Sequence, residues 1–152
     1  MPAITENLHA TAIAVAGRGV LLRGPSGTGK SDLALRCLTL AAQPLLPGPV
    51  TLIADDRVVA CREGARVMLS APAALSGLIE VRGIGPVRIA PITEAALALA
   101  IDIVAAGAVE RLPEPASVTI CGVEVPLVRL DAREPSAPVK VLIAAARLGA
   151  PG

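Results

Sequence analysis

Apolar runs separated by glycine, proline and charged residues divide the chain into short elements. Residues 10–16 and 20–23 are apolar runs typical of strands, and a glycine turn at residues 17–19 predicts a hairpin between them. Residues 24–29 are rich in glycine, and apolar side chains near helical spacing predict a helix over residues 30–40. The first part of the chain therefore has the order strand, glycine loop, helix.

The rest of the chain has the pattern of strands and hairpins. A buried type of strand at residues 50–54 stops abruptly at Asp55-Asp56. Residues 97–104 fit a strand or a helix, since their alanine content favours a helix, and we take them as a strand. The other predicted elements are a hairpin at residues 58–61 and 67–69, a strand broken by a tight loop at residues 78–89, a hairpin at residues 118–120 and 123–130, and a helix at residues 139–148. This pattern predicts an α/β fold with many hairpins.

Composition limits the kinds of protein that the chain can be. Its 152 residues fit one domain, which we expect to span residues 1–152. Hydrophobic residues make up 53% of the chain against 18% charged, which excludes a disordered protein. The formal charge is +1 and Phe, Tyr and Trp are absent, so neither bulk attraction nor base stacking favours nucleic acid as a partner. Any site for an anion must therefore be local.

Targeting and redox signals indicate a cytoplasmic protein. The first ten residues lack the basic start and the apolar run of a signal peptide. The most apolar stretch, residues 95–109, is interrupted by Asp102 and is too short to span a membrane. Cys37, Cys61 and Cys121 are odd in number and widely spaced, which favours small core or surface residues over a disulfide framework or a zinc site. We expect a cytoplasmic protein without a membrane partner.

The glycine-rich loop matches the phosphate-binding pattern G-x-x-x-x-G-K-[ST], with the required strand before it and helix after it. Backbone N–H groups converge on phosphates where glycines leave room, and the helix N-terminus adds the positive end of its dipole. Lys30 would reach the β- and γ-phosphates, and the Ser31 hydroxyl would serve Mg²⁺. The structural alternative is a glycine turn that only caps a helix. The predicted nucleotide-binding residues are Gly24, Pro25, Ser26, Gly27, Thr28, Gly29, Lys30 and Ser31.

Two adjacent carboxylates, Asp55 and Asp56, end the strand at residues 50–54. An acid at a strand end resembles a Walker B motif, in which a carboxylate holds the metal or its water. Side chains alternate along an extended backbone, so one aspartate can face the metal while the other meets a substrate hydroxyl or stays structural. A solvated turn is the alternative, and the spacing alone does not choose between the two aspartates.

Several other polar residues have more than one interpretation. His9, the single histidine, could be a neutral hydrogen-bonding group, a proton relay or a polar residue near a terminus. Glu80 and Arg82 fit a solvated strand face unless the neighbouring glycines bring their backbone close to a ligand. Arg111 could stabilise charge in phosphoryl transfer or could be a cation at a helix end.

In this order, the motifs resemble the kinase domain of HPr kinase/phosphorylase, the bifunctional enzyme that phosphorylates a serine of the phosphocarrier protein HPr and removes that phosphate again. The resemblance spans nearly the whole chain. Its most specific parts are His9 with Ala10, GPSGTGKSDLAL at residues 24–35, IADDRV at residues 53–58 and IEVRGIGPV at residues 79–87. Residues 109–112 look like the family's acidic-Arg-Leu motif, and residues 138–141 look like the start of its C-terminal phosphorolysis loop.

The resemblance implies ATP and Mg²⁺ as cofactors and an HPr-type phosphocarrier protein as the partner. By this resemblance Lys30 contacts the nucleotide phosphates, and Ser31 and Glu80 help to hold Mg²⁺. A role in regulating a phosphotransferase system is implied with them.

The resemblance also implies the acid–base groups of the reaction. The pair Asp55-Asp56 supplies the proton acceptor for the attacking serine, with Asp56 as first choice. His9 would lie near this acid, and Arg111 would face the transferring phosphate. In the reverse direction inorganic phosphate attacks phosphoserine, and the same aspartate returns the proton.

A further implication concerns fold and assembly. The family fold is a P-loop kinase domain resembling phosphoenolpyruvate carboxykinase, with a central mixed sheet, hairpins and a helix after the P-loop, and the family forms a hexamer. We expect here a short form without the family's N-terminal domain, which leaves a homo-oligomer expected and a hexamer open. Leu142-Ile143 replace the expected Gly-Arg, which affects phosphorolysis more than kinase activity. The rival functions are a small-molecule kinase on the same phosphate loop and a non-catalytic ATP-sensing module.

Overall fold

Strands dominate the structure, a computed structural model that describes residues 4–46 and 48–149. Within those residues the strands are β1 (Thr5–Leu8), β2 (Thr11–Val15), β3 (Arg18–Arg23), β4 (Val50–Ala54), β5 (Val58–Glu63), β6 (Arg66–Ser70), β7 (Leu78–Val81), β8 (Gly85–Arg88), β9 (Glu94–Ile103), β10 (Ala116–Ile120) and β11 (Val123–Leu130). The helices are α1 (Lys30–Leu38), α2 (Ala137–Arg147) and the short 3-10 helices Ala73–Leu75 and Ala106–Ala108.

One mixed sheet of nine strands holds the fold together. Its main path runs in the order β1-β5-β6-β9-β3-β2-β4, β11 joins β9, and β10 joins β11. Strand β9 is parallel to β3 and to β11, whereas the other pairs in the sheet are antiparallel. Strands β7 and β8 form a separate two-stranded hairpin.

The central strands are buried on both faces, and the two faces carry different side chains. Alternation along β2 puts Ile13 and Val15 in one core cluster and Ala12 and Ala14 in the other. Both helices pack against the first, aliphatic face. Strands β5, β6, β10 and β11 of the same sheet contribute side chains to the second cluster, where small alanine side chains allow close packing without any aromatic residue. The helices therefore cover one face of the sheet, and the second cluster is built from the strands themselves.

The carboxyl ends of several strands meet at one edge of the sheet. Arg23 at the end of β3 is in register with Asp102 of β9, which is in turn in register with Arg129 of β11. Strand β4 runs in the same direction as β3, because both are antiparallel to β2. The segments that leave these strands therefore converge, at the edge where open α/β sheets bind ligands.

Most of the predicted elements are confirmed, and the differences have physical reasons. The strand interpretation of residues 97–104 is confirmed within the longer β9, since parallel pairing on both sides outweighs its alanine content. Strand β1 was not predicted, because its sequence TENL has no apolar alternation and it pairs only at the sheet edge with β5. The prediction that residues 138–141 begin a loop is wrong, because they lie in the first turns of α2, where Pro138 fits the helix start.

Two further sequence predictions concern membranes and cysteines. Among the described residues, no helix has the length and apolar character needed to cross a bilayer. Cys37 and Cys121 are buried and Cys61 is half-buried, all three as free thiols, which agrees with their reading as small packing residues. Burial raises the pKa of the Cys37 thiol to about 12, so this side chain stays a neutral part of the core.

Candidate active site

The predicted phosphate-binding loop, residues 24–29 and called the phosphate loop below, lies between the end of β3 and the start of α1. Gly29 caps the helix in the left-handed region, with φ 94°, which glycine adopts without strain. At Gly24 an added Cβ would lie 2.8 Å from Thr28 Oγ1, so the loop closes on itself only with glycine there. Thr28 Oγ1 and the Thr28 N–H both donate to the Pro25 carbonyl, at 2.7 and 3.2 Å. The loop is therefore a closed turn with the helix N-terminus behind it.

Lys30 and Ser31 open α1 and face the same pocket. The Lys30 side chain is 7% exposed, and its ammonium donates to the carbonyls of Gly24 and Pro25 at 2.6 and 3.1 Å. This holds a compact positive charge against the loop that would surround phosphates. The Ser31 hydroxyl donates to Asp55 Oδ1 at 2.6 Å. The first turn of α1 is thus tied to the end of β4.

Asp55 is a buried carboxylate on which three elements converge. It is 7% exposed, and its Oδ1 accepts from Ser31 Oγ and, at 2.9 Å, from Thr11 Oγ1. Its Oδ2 accepts the backbone N–H of Glu80 at 2.9 Å. A carboxylate is an acceptor only, and these donors occupy both of its oxygens. Asp55 therefore joins β2, α1 and β7 beneath the pocket.

Asp56 has the opposite environment although it is the next residue. Its φ of 67° lies in the left-handed region, and Arg57 N–H donates to the Asp55 carbonyl at 2.8 Å, so Asp56 is the middle of a three-residue turn. The turn carries its side chain out of the core, where it is 62% exposed and lies 3.4 Å from His9 Nδ1. His9 Nε2 in turn lies 3.1 Å from Ser26 Oγ in the phosphate loop. Asp56 therefore lines the pocket, with His9 as its close partner.

One pocket of about 460 Å³ brings these groups together. Glu80 and Arg82, at the end of β7 and the start of the β7–β8 turn, form its other wall, so this block does approach the phosphate loop. Arg111 lies in an exposed segment after Ala106–Ala108 and does not line this pocket. The lining residues are His9, Thr11, Ser26, Gly27, Gly29, Lys30, Ser31, Asp32, Leu35, Asp56, Glu80, Val81 and Arg82.

The donor set under the loop suits a hard cation shared with phosphates. Ser31, Asp55 and Glu80 offer hydroxyl and carboxylate oxygens, the ligands that Mg²⁺ prefers. Within residues 4–46 and 48–149, no three His, Cys, Asp or Glu side chains form a ready metal site.

An ion pair fixes the strand ends directly below the phosphate loop. The Arg23 guanidinium donates to both carboxylate oxygens of Asp102, at 2.7 and 3.1 Å, across the parallel pair β3 and β9. This hydrogen-bonded contact raises the pKa of Arg23 above its ordinary value. Because Gly24 follows Arg23 at once, the pair fixes where the loop begins.

The structure also adds residues that the sequence analysis did not assign to the site. Thr11 lies fully buried against Asp55, and Arg82 and Asp32 line the pocket. Thr11 has a weak sequence signal, since it is the one polar residue in an apolar run, two positions after His9. Asp32 has none beyond its place in the first helical turn.

Comparisons with known proteins show which family the chain is similar to. A family model described as the HPr Serine kinase C-terminal domain matches residues 2–149. The HPr kinase/phosphorylase of Lactobacillus delbrueckii subsp. bulgaricus is 43% identical over 81 residues, 53% of this chain and 23% of that protein. The HPr kinase/phosphorylase of Limosilactobacillus reuteri is 40% identical over 81 residues, with 53% and 23% covered. The matched part of the chain thus corresponds to about a quarter of the length of these curated relatives.

A solved structure matches the whole fold. The Hpr(Ser) kinase/phosphatase from Coxiella burnetii superposes with a TM-score of 0.78 over 94% of this chain and 97% of that chain. Sequence identity between the two is 22%, so this match establishes the α/β architecture with its mixed sheet and few helices.

Proposed function

Because the chain belongs to the family of HPr serine kinase C-terminal domains, we propose that it is an ATP-dependent, Mg²⁺-dependent protein serine kinase acting on an HPr-type phosphocarrier protein. One observation carries the proposal. A phosphate loop with its lysine and an exposed aspartate beside His9 line one pocket, and the buried Asp55 accepts a hydrogen bond from the pocket residue Ser31. These are the parts that phosphoryl transfer to a hydroxyl requires.

The loop and the first turn of α1 bind the nucleotide in this proposal. Backbone N–H groups and the helix N-terminus receive the phosphates, and Lys30 moves from the loop carbonyls to the β- and γ-phosphates. Mg²⁺ would be held by the Ser31 hydroxyl, with Asp55 and Glu80 as neighbouring carboxylates, and it would neutralise charge on the transferring group.

Asp56 is the proton acceptor because its oxygens remain accessible. Asp55 already accepts from Thr11, Ser31 and the Glu80 N–H, whereas Asp56 faces the pocket beside His9. The serine oxygen attacks the γ-phosphorus, the bond from that phosphorus to the β–γ bridging oxygen breaks, and the serine proton passes to Asp56. The products are phosphoserine and ADP.

Reverse phosphorolysis follows from the same groups. Inorganic phosphate attacks the phosphorus of phosphoserine, pyrophosphate forms, and protonated Asp56 returns its proton to the serine oxygen. Arg82 lies in the pocket wall where a second anion would enter, while the role inferred for Arg111 has no contact in this pocket to support it. A cytoplasmic location, regulation of a phosphotransferase system, a homo-oligomer and the phosphoenolpyruvate carboxykinase relationship are parts of the same proposal.

The deciding experiment is a transfer assay with a purified HPr-type protein from the same source. With γ-labelled ATP and Mg²⁺, label should appear on a serine of the carrier, and ADP should form in equal amount. Label on a small metabolite instead would favour a small-molecule kinase. Nucleotide binding without any turnover, unaffected by loss of both aspartates, would favour an ATP-sensing module.

A further inference from the structure

Thr11 carries a buried hydroxyl that donates a hydrogen bond to Asp55 at the site. It is 0% exposed, at the first position of β2, in the otherwise apolar strand TAIAV. Valine has the same shape and would fit such a strand. Burying a hydroxyl instead removes it from water, and this costs free energy unless the hydroxyl is hydrogen-bonded. The Thr11 hydroxyl is bonded, to Asp55 Oδ1 at 2.9 Å.

The backbone around Asp55 is arranged so that this contact forms. The pairing of β2 with β4 shifts register between Ala12 and Ile13, since Ala12 is opposite Ala54 while Ile13 is opposite Leu52. Such a register shift redirects the side chains beyond it, and here the extra residue, Ile53, lies two residues before Asp55. The next residue, Asp56, turns the chain away with φ 67°. Asp55 is thereby directed back toward Thr11, beneath the pocket.

We propose that Thr11 is a positioning residue that fixes the Asp55 carboxylate for the divalent cation of the nucleotide, an inference that rests on the proposed function. Asp55 Oδ1 accepts hydrogen bonds from the Thr11 hydroxyl on β2 and the Ser31 hydroxyl on α1. Asp55 Oδ2 accepts a hydrogen bond from the Glu80 backbone N–H on β7. Ser31 is itself a residue through which the cation would bind. Thr11 and the Glu80 backbone are therefore the fixed contacts that hold the carboxylate orientation independently of the ligand.

The test compares Thr11→Val, which keeps the shape and removes the donor, with Thr11→Ser, which keeps the donor and removes a methyl group. Mn²⁺ serves as the probe, with its binding to the protein–ADP complex followed by electron paramagnetic resonance and the transfer rate measured separately. Loss of a partner that orients a metal ligand costs about 10- to 100-fold in metal affinity. Thr11→Val should show a loss in this range, and Thr11→Ser should bind Mn²⁺ within about threefold of the parent.

A matched control is Thr51→Val on β4. Thr51 is half-buried on a strand next to β2, and at roughly 3.3 Å per residue it lies about 13 Å from Asp55. Thr51→Val should leave Mn²⁺ affinity unchanged. Thermal unfolding of all variants separates lost packing from lost positioning, because Thr11→Val should keep the parent's melting temperature within a few degrees.

Two results would overturn the inference. Parent-like Mn²⁺ affinity in Thr11→Val is the first, and an equal loss in Thr11→Val and Thr11→Ser is the second, because it would assign the effect to packing. The proposed kinase function can fail independently of the role of Thr11. A parent chain that binds Mn²⁺ and ADP but transfers no phosphate to an HPr-type protein refutes the kinase proposal. The ratio of Mn²⁺ affinities between the Thr11 variants and the parent still decides whether Thr11 positions Asp55.

Discussion

Replacing each aspartate of the pair by asparagine separates the proposed proton acceptor, Asp56, from the buried carboxylate proposed to serve the cation, Asp55. Asp56→Asn keeps the size of the side chain and removes its ability to take a proton. The residue sits at φ 67°, a conformation that asparagine tolerates better than most residues, so the turn survives the substitution. Its side chain is 62% exposed, so the free energy of unfolding should change by less than about 0.5 kcal/mol.

The expected kinetic effect of Asp56→Asn is large. Removing a general base lowers a rate by about 10²- to 10⁴-fold, which raises the barrier by about 3 to 5 kcal/mol. Nucleotide affinity should stay close to that of the parent, because Asp56 contacts His9 rather than the phosphate loop. The defect should therefore appear in transfer to the carrier protein and not in binding of ATP.

Asp55→Asn should fail in the opposite way. An amide oxygen can still accept the Glu80 N–H, but its NH₂ group then meets the Thr11 and Ser31 hydroxyls, which had both donated to the carboxylate. Those hydroxyls must turn and lose their acceptor, which costs about 1 to 3 kcal/mol and lowers the melting temperature by about 2 to 10 °C. Mg²⁺-dependent nucleotide binding should weaken as well.

The assay measures label transfer, nucleotide affinity by calorimetry and thermal unfolding for both variants. Glu63→Gln, an exposed acid at the end of β5, is the control for loss of one negative charge and should resemble the parent in all three. If Asp56→Asn transfers phosphate within tenfold of the parent while Asp55→Asn does not, the assignment of the base is wrong. A fall in melting temperature for Asp56→Asn alone would contradict the division between a buried and an exposed acid.

Three further changes test other parts of the site. Lys30→Ala removes the positive charge bonded to Gly24 and Pro25, so transfer should be abolished in both directions while circular dichroism stays unchanged; normal transfer would refute the role of the loop. In a double-mutant cycle on Arg23→Met and Asp102→Asn, followed by urea unfolding, this bidentate pair should show a coupling energy of about 1 to 2 kcal/mol. A coupling energy near zero would mean that the pair does not fix the strand ends. The backbone N–H of Arg133 holds the pKa of Asp131 below its ordinary 3.8, so the stabilisation from this carboxylate is present above pH 4 and is lost as the pH falls through the lowered value. Melting temperature measured between pH 5 and pH 2 should therefore fall less in Asp131→Asn than in the parent, and equal slopes would contradict the assignment.

Local sequence rules account for the parts of the site that lie within one segment. The phosphate loop could be predicted because its glycines, lysine and serine are contiguous and the flanking strand and helix have clear apolar patterns. The strand that ends at Asp55-Asp56 is recognisable for the same reason. By contrast, β1 forms because β5 offers an edge, and the extent of β9 depends on its partners on both sides. Pairing between segments distant in sequence determines that β1 forms and how long β9 is. The local pattern of apolar residues contains no information on that pairing.

The contacts that complete the site are long-range for the same reason. Thr11 is 44 residues from Asp55, and the Glu80 N–H is 25 residues from the same carboxylate. Each residue lies in a stretch whose local pattern predicts a strand, and that pattern contains no sign of a contact with Asp55. For Arg82 the sequence leaves open a solvated strand face or a backbone that the neighbouring glycines bring close to a ligand, and the position of the β7–β8 hairpin against the phosphate loop places this residue in the pocket wall.

The adjacent aspartates show how backbone geometry gives two identical side chains different chemistry. Had the chain stayed extended after β4, alternation would have placed the two carboxylates on opposite faces of one strand, with no rule to say which is the base. The left-handed turn at Asp56 removes that symmetry, because it ends the strand at the buried acid and carries the next carboxylate into solvent beside His9. A positive φ costs free energy at a residue other than glycine, and such a conformation persists only where the surrounding structure enforces it. The turn at Asp56 leaves one carboxylate buried under Ser31 with three hydrogen-bond donors, and it places an accessible carboxylate in the lining of the pocket.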